Sequence, residues 1–506
     1  MRVCCLTLKA IVSHRYVPVA FGAGIVIPLL KNSGLDKSNM DNYRAITISP
    51  VISNVFESYL LGTVQDYLTT SELQFGFKSN SGCRDAMSVL CNTVEYYTRD
   101  GSTVNIACLD MSKAFDKVNL YALSIKLMKL DVPKSFISVI LDWYGKVFVS
   151  VKWNNSFSAP RQLLAGVRQG GVLSPSLFNV YVNDILVNLQ QSAFGCHVSG
   201  KFVGALMYAD DLLLVSITLQ DLRKMLDIVC AELSWLDMVL NVKKSGLMRI
   251  GQRFNADLSP VLVCGVMLPV VEKISYLGVD ISSGRSLRLC MHSRRMKFFR
   301  AFNALYAKLG GVASDIVLLH LIRTFCLPIL LYGLESFTVS RSCLNAIEFC
   351  WNRAMFKIFN TGSRDNVNYV LYYTGILPLS YQIDLRKLRF YHAKHITTSV
   401  GGTDGIVWHA LIATSERMVD ALMVEYSIFN FAIQMPYISV QYGPNLPWSC
   451  CYSYVFLSDA FILATCLYVS VGVCVCLCMR DCLFVCFYFF VLCTVYCVCY
   501  LSVNKV

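Results

Sequence analysis

Two adjacent carboxylates, Asp210 and Asp211, interrupt an apolar stretch, with Met207, Tyr208 and Ala209 before them and Leu212, Leu213, Leu214 and Val215 after. A run of this kind packs into a core, and carboxylates there are costly unless they hold a cation. Asp110 lies a hundred residues upstream in a matching setting, directly after Ile106, Ala107, Cys108 and Leu109. Two strand-and-acid segments in one sheet would bring their carboxylates within a few ångströms of each other. Such a trio suits a shared metal cluster.

The local patterns predict an α+β fold for the first half of the chain. Val26–Leu30, Ile46–Ile48, Asn105–Leu109, Val147–Val151, Phe202–Met207 and Leu212–Val215 read as strands, the last two as a hairpin with the acidic pair at its tip. Val51–Tyr67, residues 120–130 and 134–145, and Leu219–Leu240 carry helical spacing. From Arg288 to about residue 396 the pattern is mainly helical and basic. The cluster Arg294, Arg295, Lys297 and Arg300 reads either as a track for nucleic-acid phosphates or as a solvated helix face. Trp351, Phe356 and Phe359 read as core.

The net charge is +12, from 45 Lys+Arg against 33 Asp+Glu, which favours a polyanionic partner. Of 23 cysteines, eleven fall after residue 449; the others stand singly in apolar stretches, apart from Cys4–Cys5. Single cysteines read as reduced core residues, so the main body is expected inside the cell, in nucleus or cytoplasm. No paired CxxC spacing occurs in that body, which argues against a structural zinc site. Lys9, His14 and Arg15 break up the N-terminal apolar residues, leaving a poor signal peptide.

The tail changes character. Residues 460–479 and 482–503 are long apolar runs separated by Arg480–Asp481, each long enough to cross a bilayer. They are also Val-Cys-rich and of low complexity. A two-helix membrane segment and a non-selected extension are both open readings.

Phosphodiester formation needs a deprotonated 3′-hydroxyl and a neutralised triphosphate. Two Mg²⁺ ions about 4 Å apart supply both, and Mg²⁺ prefers carboxylate oxygens. Gly166 to Pro175 (GVRQGGVLSP) is a glycine-rich loop entering a helix, in which Ser174 could cap the helix and Pro175 suits its first turn. Glycines there would let backbone approach a flat base.

Together these segments resemble the reverse transcriptases of non-LTR (LINE-type) retrotransposons. The residues that carry the resemblance are Leu109–Asp116, Gly166–Pro175, Tyr208–Asp211, Asn241–Ser245 and Tyr276–Gly278, preceded by Asn42–Ile46 and Gln74–Lys78. Pro328–Glu335 is similar to the sequence after the thumb in such elements. The resemblance covers about residues 10–395 and implies a right-hand polymerase. Fingers are expected over 1–104, palm over 105–280, a helical thumb and C-terminal region over 281–445, and the apolar Cys-rich tail over 446–506.

The resemblance also implies roles. Asp110 and Asp210 would hold Mg²⁺ (or Mn²⁺), with Asp211 in support and the Met111 carbonyl as a further oxygen. Lys31 and Arg44 would grip the dNTP triphosphate, while Gln169 and Gly170 would line the nucleotide site. Phe115 would exclude a 2′-hydroxyl, its plainer reading being a core aromatic. Lys244 would protonate pyrophosphate, or simply be a surface lysine. Tyr208, Tyr276, Leu277 and Gly278 would contact the DNA primer, with RNA as template. No protein partner is implied. Many members carry an N-terminal endonuclease, whereas this sequence starts at or just before the fingers, so a truncated copy is expected. A catalytically silent nucleic-acid-binding remnant, retained on a membrane through residues 460–503, is the alternative expectation.

Overall fold

The fold is that of a computed structural model, which describes residues 2–31, 34–112 and 114–399, with the backbone alone for 2–5, 392 and 394–399. The tail expected from residue 446, with its two apolar runs, lies outside the described residues.

The first elements build a small sheet around the chain's N-terminal third. Helix α1 (Arg2–His14) leads to strands β1 (Ala23–Leu30) and β2 (Tyr43–Ile48), which pair antiparallel with Leu29 opposite Arg44. Helix α2 (Val51–Val64) follows directly, and α3 (Cys83–Arg99) is the long amphipathic helix that precedes the next sheet. Strand β3 (Thr103–Asp110), helices α4 (Leu120–Lys129) and α5 (Lys134–Tyr144), and β4 (Phe148–Trp153) complete this part. Strand β4 runs parallel to β1, with the short β5 (Ser156–Phe157) and β6 (Arg161–Gln162) along it. Asp142 on α5 ties the N-terminal segment down, accepting from Val17 N at 2.8 Å and from Lys146 Nζ at 2.7 Å.

A second sheet carries the acids. Helix α6 (Ser174–Gln191), β7 (His197–Val198), β8 (Lys201–Phe202), β9 (Ala205–Tyr208), β10 (Asp211–Ser216), α7 (Leu219–Trp235) and β11 (Gly246–Gly251) follow in order. The strand order is β11-β3-β10-β9, all antiparallel neighbours. Leu212, Leu213, Leu214 and Val215 are at most 1% exposed, so both faces of β10 are covered and its apolar run need not alternate. Asn105 pins the far end: its Nδ2 donates to the Ser216 carbonyl at 3.3 Å, and its Oδ1 accepts from Arg249 Nε at 3.1 Å. Two expected elements are shorter than their apolar spacing suggested. The 202–207 strand breaks at Gly204, and the 219–240 helix stops at Trp235, because Asp237 turns to φ 54° and Leu240 bridges to Met111.

Beyond the small hairpin β12 (Leu262–Val263) and β13 (Val266–Met267), strands β14 (Lys273–Tyr276), β15 (Val279–Ser282) and β16 (Arg288–Leu289) form a three-stranded sheet. Helices α8 (His292–Leu309), α9 (Asp315–Phe325), α10 (Leu327–Leu331), α11 (Arg341–Ile358), α12 (Arg364–Tyr373) and α13 (Leu379–Ser399) then gather around a second core of Phe298, Phe302, Ile322, Leu330, Trp351 and Met355. The segment Asp315–Ser336 is long and apolar enough by composition to cross a membrane. It is divided among α9, α10 and a 3-10 turn, and Leu318, Leu319, Ile322, Leu330 and Leu331 lie in this core. Arg294 is 7% exposed, so the basic cluster of α8 is not one solvated face.

The glycine loop is fixed by a buried ion pair. Arg168 Nη2 lies 2.6 Å from Glu57 Oε1 on α2, with both side chains 1% exposed, and the guanidinium sits 5.0 Å above the Trp143 ring. The other Glu57 oxygen accepts from Leu173 N at 2.9 Å and from Val172 N, covering the start of α6. The start of α6 is therefore capped by a distant glutamate rather than by Ser174, which is the helix's first residue and not its N-cap. A carboxylate at a helix N-terminus also meets the positive end of the helix dipole. Breaking such a pair strands a buried charge. Glu57→Leu should cost about 3–5 kcal/mol in urea unfolding, and adding Arg168→Met should recover most of the loss. A single variant within about 1 kcal/mol of the parent would contradict this.

Candidate active site

The acid-bearing turn is a tight hairpin. Tyr208 pairs with Asp211 across β9 and β10, leaving Ala209 and Asp210 as the turn, and Asp211 pairs in turn with Asp110 on β3. Paired residues project to the same face, so this register sets Asp110 and Asp211 side by side. The direct cross-strand neighbour of Asp110 is thus Asp211, with Asp210 one step further into the turn. Ala209 adopts φ 56°, a left-handed conformation that an alanine rarely takes.

Gln74 holds that turn in place. Its Oε1 accepts from Ala209 N at 3.1 Å and from Gly76 N at 3.0 Å, and the side chain is wholly enclosed. Phe75 N donates to the Met207 carbonyl at 2.8 Å, and Met207 N to the Leu73 carbonyl at 2.9 Å, so this segment runs alongside β9. A Cβ on Gly76 would stand 2.6 Å from Ala209 N, which leaves glycine as the residue that fits. Gln74–Lys78 falls within the span expected for the fingers. The structure sets its first half beneath the acidic turn, a contact with no local sequence signal.

Asp110 is enclosed by Asn241–Ser245. Its N–H donates to Ser245 Oγ at 3.1 Å, its carbonyl accepts from Asn241 N at 2.8 Å, and Lys244 Nζ stands 3.6 Å from its Oδ2. Burial, followed by the charges of Asp210 and Asp110, pushes the Asp211 carboxyl up to about 6. Burial also raises Asp210, with Asp110 adding to the rise and Arg44 and Lys244 opposing it. Crowded carboxylates of this kind gain from a cation. Among the described residues no group of three or more His, Cys, Asp and Glu side chains is placed to hold a metal ion. An open acidic edge still fits Mg²⁺, which keeps several waters and takes substrate oxygens beside one or two carboxylates.

The residues expected at the nucleotide side are distributed as follows. Arg44 is exposed on β2 with its charge felt at Asp210, whereas the Lys31 ammonium is bound to the Asp41 carbonyl at 2.7 Å. The Met111 side chain is core, at 2% exposure. Phe115 stacks on Phe178 with centroids 4.5 Å apart and an interplanar angle of 15°, yet remains only half-buried. The Gln169 carbonyl accepts from Thr47 N at 2.8 Å and its Nε2 donates to Asp116 Oδ1 at 3.4 Å, joining the glycine loop to β2. Gly170 follows at φ 115°, where a Cβ would meet the Thr47 carbonyl at 2.7 Å.

On the primer side the expectation for Tyr276 fails. Its side chain is 1% exposed, because β14 packs that face into the main core, so it cannot touch a primer. Leu277 and Gly278 form the turn between β14 and β15 at φ 47° and 79°. Tyr208 is half-buried beside the acidic turn.

Residues 31–281 match the family model described as reverse transcriptase (RNA-dependent DNA polymerase). The Pol polyprotein of a type-2 retrotransposable element from Drosophila melanogaster is 28% identical over 206 residues, 40% of this chain and 19% of that protein. A probable RNA-directed DNA polymerase from transposon BS of the same species is 24% identical over 370 residues, 69% of this chain and 40% of that protein. The chain therefore spans less than half the length of these relatives. A structure of telomerase from Candida albicans, in complex with a fragment of telomeric RNA, aligns at a TM-score of 0.44 and 12% identity, over 82% of this chain and 68% of that one. Residues 31–281 of this α+β chain thus match the reverse transcriptase family, and the chain is similar to polymerase proteins of retrotransposable elements.

Proposed function

We propose that this chain is an RNA-directed DNA polymerase, adding deoxynucleotides from dNTPs to the 3′-end of a DNA primer on an RNA template. The observation that carries the reading is the register that sets Asp211 against Asp110, with Asp210 at the adjoining turn. Asp110 and Asp210 would hold Mg²⁺ or Mn²⁺, and Asp211 would keep the edge acidic. When bound, such an ion would neutralise triphosphate charge and favour the deprotonated primer hydroxyl.

The chain's own residues do the remainder. Arg44 offers a planar guanidinium to phosphate oxygens from the sheet face next to Asp210. Lys244, beside Asp110, is placed to give a proton to departing pyrophosphate. Gln169 and Gly170 present loop backbone to the incoming base. Phe115, braced by Phe178, limits the room at the sugar and so selects against a 2′-hydroxyl. Lys31 has its ammonium engaged at Asp41, which leaves Arg44 as the principal triphosphate contact.

Extension of oligo(dT) on poly(rA) with dTTP and Mg²⁺ should proceed with the full chain and fall about a thousandfold or more in Asp210→Asn. Template binding without extension would instead mark a silent remnant. Phe115→Ala should raise ribonucleotide use relative to dNTP use by roughly tenfold or more; an unaltered ratio would make the ring purely core.

The raised Asp211 carboxyl also fixes a sign. Its proton is bound more tightly in the folded state, so the associated stability is full below the unfolded value of 3.8 and is lost as pH rises through about 6. Added Mg²⁺ should therefore raise the melting temperature more at pH 7 than at pH 5, and not in Asp110→Asn. Equal shifts at both pH values would exclude the acidic edge as the ion's site.

A further inference from the structure

Tyr276 is enclosed, yet the turn that follows it has an aromatic partner from elsewhere in the chain. Tyr332, in the segment Pro328–Glu335, donates its hydroxyl to the Leu277 carbonyl at 3.1 Å. Its ring lies against Gly278, where an added Cβ would stand 3.6 Å from Cε1. The Cys83 side chain at the start of α3 acts on the hydroxyls of both Tyr332 and Tyr208, raising each. The two tyrosines are therefore neighbours across one thiol, and Tyr208 adjoins the acidic turn. Tyr332 remains 39% exposed, so the ring has an open face.

The segment around it is firmly fixed. Gly333, at φ 70°, is packed between Met87 of α3 and Val279 of β15, with an added Cβ 3.0 Å from the Met87 methyl. Glu335 pairs with Arg84 Nε at 3.6 Å, and Ser336 Oγ donates to the Arg84 carbonyl at 2.8 Å. Burial, then the Cys83 contact, pushes both the Tyr208 and Tyr332 hydroxyls up to about 12, so each remains a donor at neutral pH.

We propose that Tyr332 is a primer-positioning residue: with Tyr208 and the Leu277–Gly278 turn it forms the platform on which a recessed 3′-end rests. The inference rests on the polymerase reading of the neighbouring acids. It assigns to Pro328–Glu335 a role in the site, by way of a tyrosine contributed after the first thumb helices. An aromatic face that supports a terminal base pair needs no sequence preference, since every base offers a π-face. The hydroxyl's part is to hold the turn.

The experiment uses the full chain and two fluorescein-labelled ligands without dNTP: a poly(rA)–oligo(dT) duplex with a recessed 3′-end, and the same RNA single-stranded. Anisotropy should show the wild type preferring the recessed end. Tyr332→Phe should weaken that ligand by roughly three- to tenfold, the scale of one lost hydrogen bond. Single-strand affinity should stay as in wild type, and thermal melting should fall by only a few degrees, the scale of one lost turn hydrogen bond. Tyr276→Phe should leave the preference as it is, since it only removes a buried hydroxyl without a hydrogen-bond partner.

An unaltered recessed-end affinity in Tyr332→Phe would overturn the inference, as would an equal loss on both ligands, which marks a merely structural role. A wild type without any preference for the recessed end would overturn it as well. Because binding is read without catalysis, a wild type that prefers the recessed end but does not extend it would refute the polymerase reading and leave the platform standing.

Discussion

The antiparallel pairing of β3 with β10 is the constraint on which the rest of the site depends. Its register places Asp110 opposite Asp211, and a slip by one residue would move every β10 side chain to the other face. The register is held at one end by Asn105, which bonds to both neighbouring strands, and along its length by the burial of Leu212–Val215. Apolar burial thus works against like-charge repulsion at the strand ends. The raised Asp211 carboxyl is the visible sign of that opposition. Packing thus keeps the acids together at the strand ends despite their repulsion.

The surrounding loops are braced in a common way. Each is held by a polar side chain brought from far along the chain: Gln74 under the acidic turn, Glu57 and Arg168 at the glycine loop, Ser245 at Asp110, Tyr332 at the Leu277–Gly278 turn. Backbone groups in such loops would otherwise be buried without partners, at a cost of about 1–3 kcal/mol each. The bracing groups need not meet substrate. Their effect is to fix the positions of those that do.

The parts legible in the sequence are those fixed by neighbouring residues. The acidic hairpin announced itself because two charges inside an apolar run have few places to go, and β1, β2, α2, α4 and α5 followed from periodicity. The bracing contacts were not legible, since they join residues 135 positions apart for Gln74 and Ala209, 111 for Arg168 and Glu57, and 55 for Tyr332 and Leu277. Tyr276 misled for a related reason. Its place in a recognisable motif pointed to the primer, while strand alternation turned it into the core. Ser174 had the chemistry of a helix cap, but Glu57 already occupied that position. Arg294 sat in a basic cluster although packing enclosed it.

Asp110, Asp210 and Asp211 are proposed to form one cation-binding edge. Titrating Mn²⁺ into the full chain and following free Mn²⁺ by electron paramagnetic resonance reads that edge without catalysis. Uptake should be saturable, rise with added primer–template and dTTP, and be lost alike in Asp110→Asn and Asp210→Asn. Uptake that persists in both variants would place the ion elsewhere and contradict this assignment.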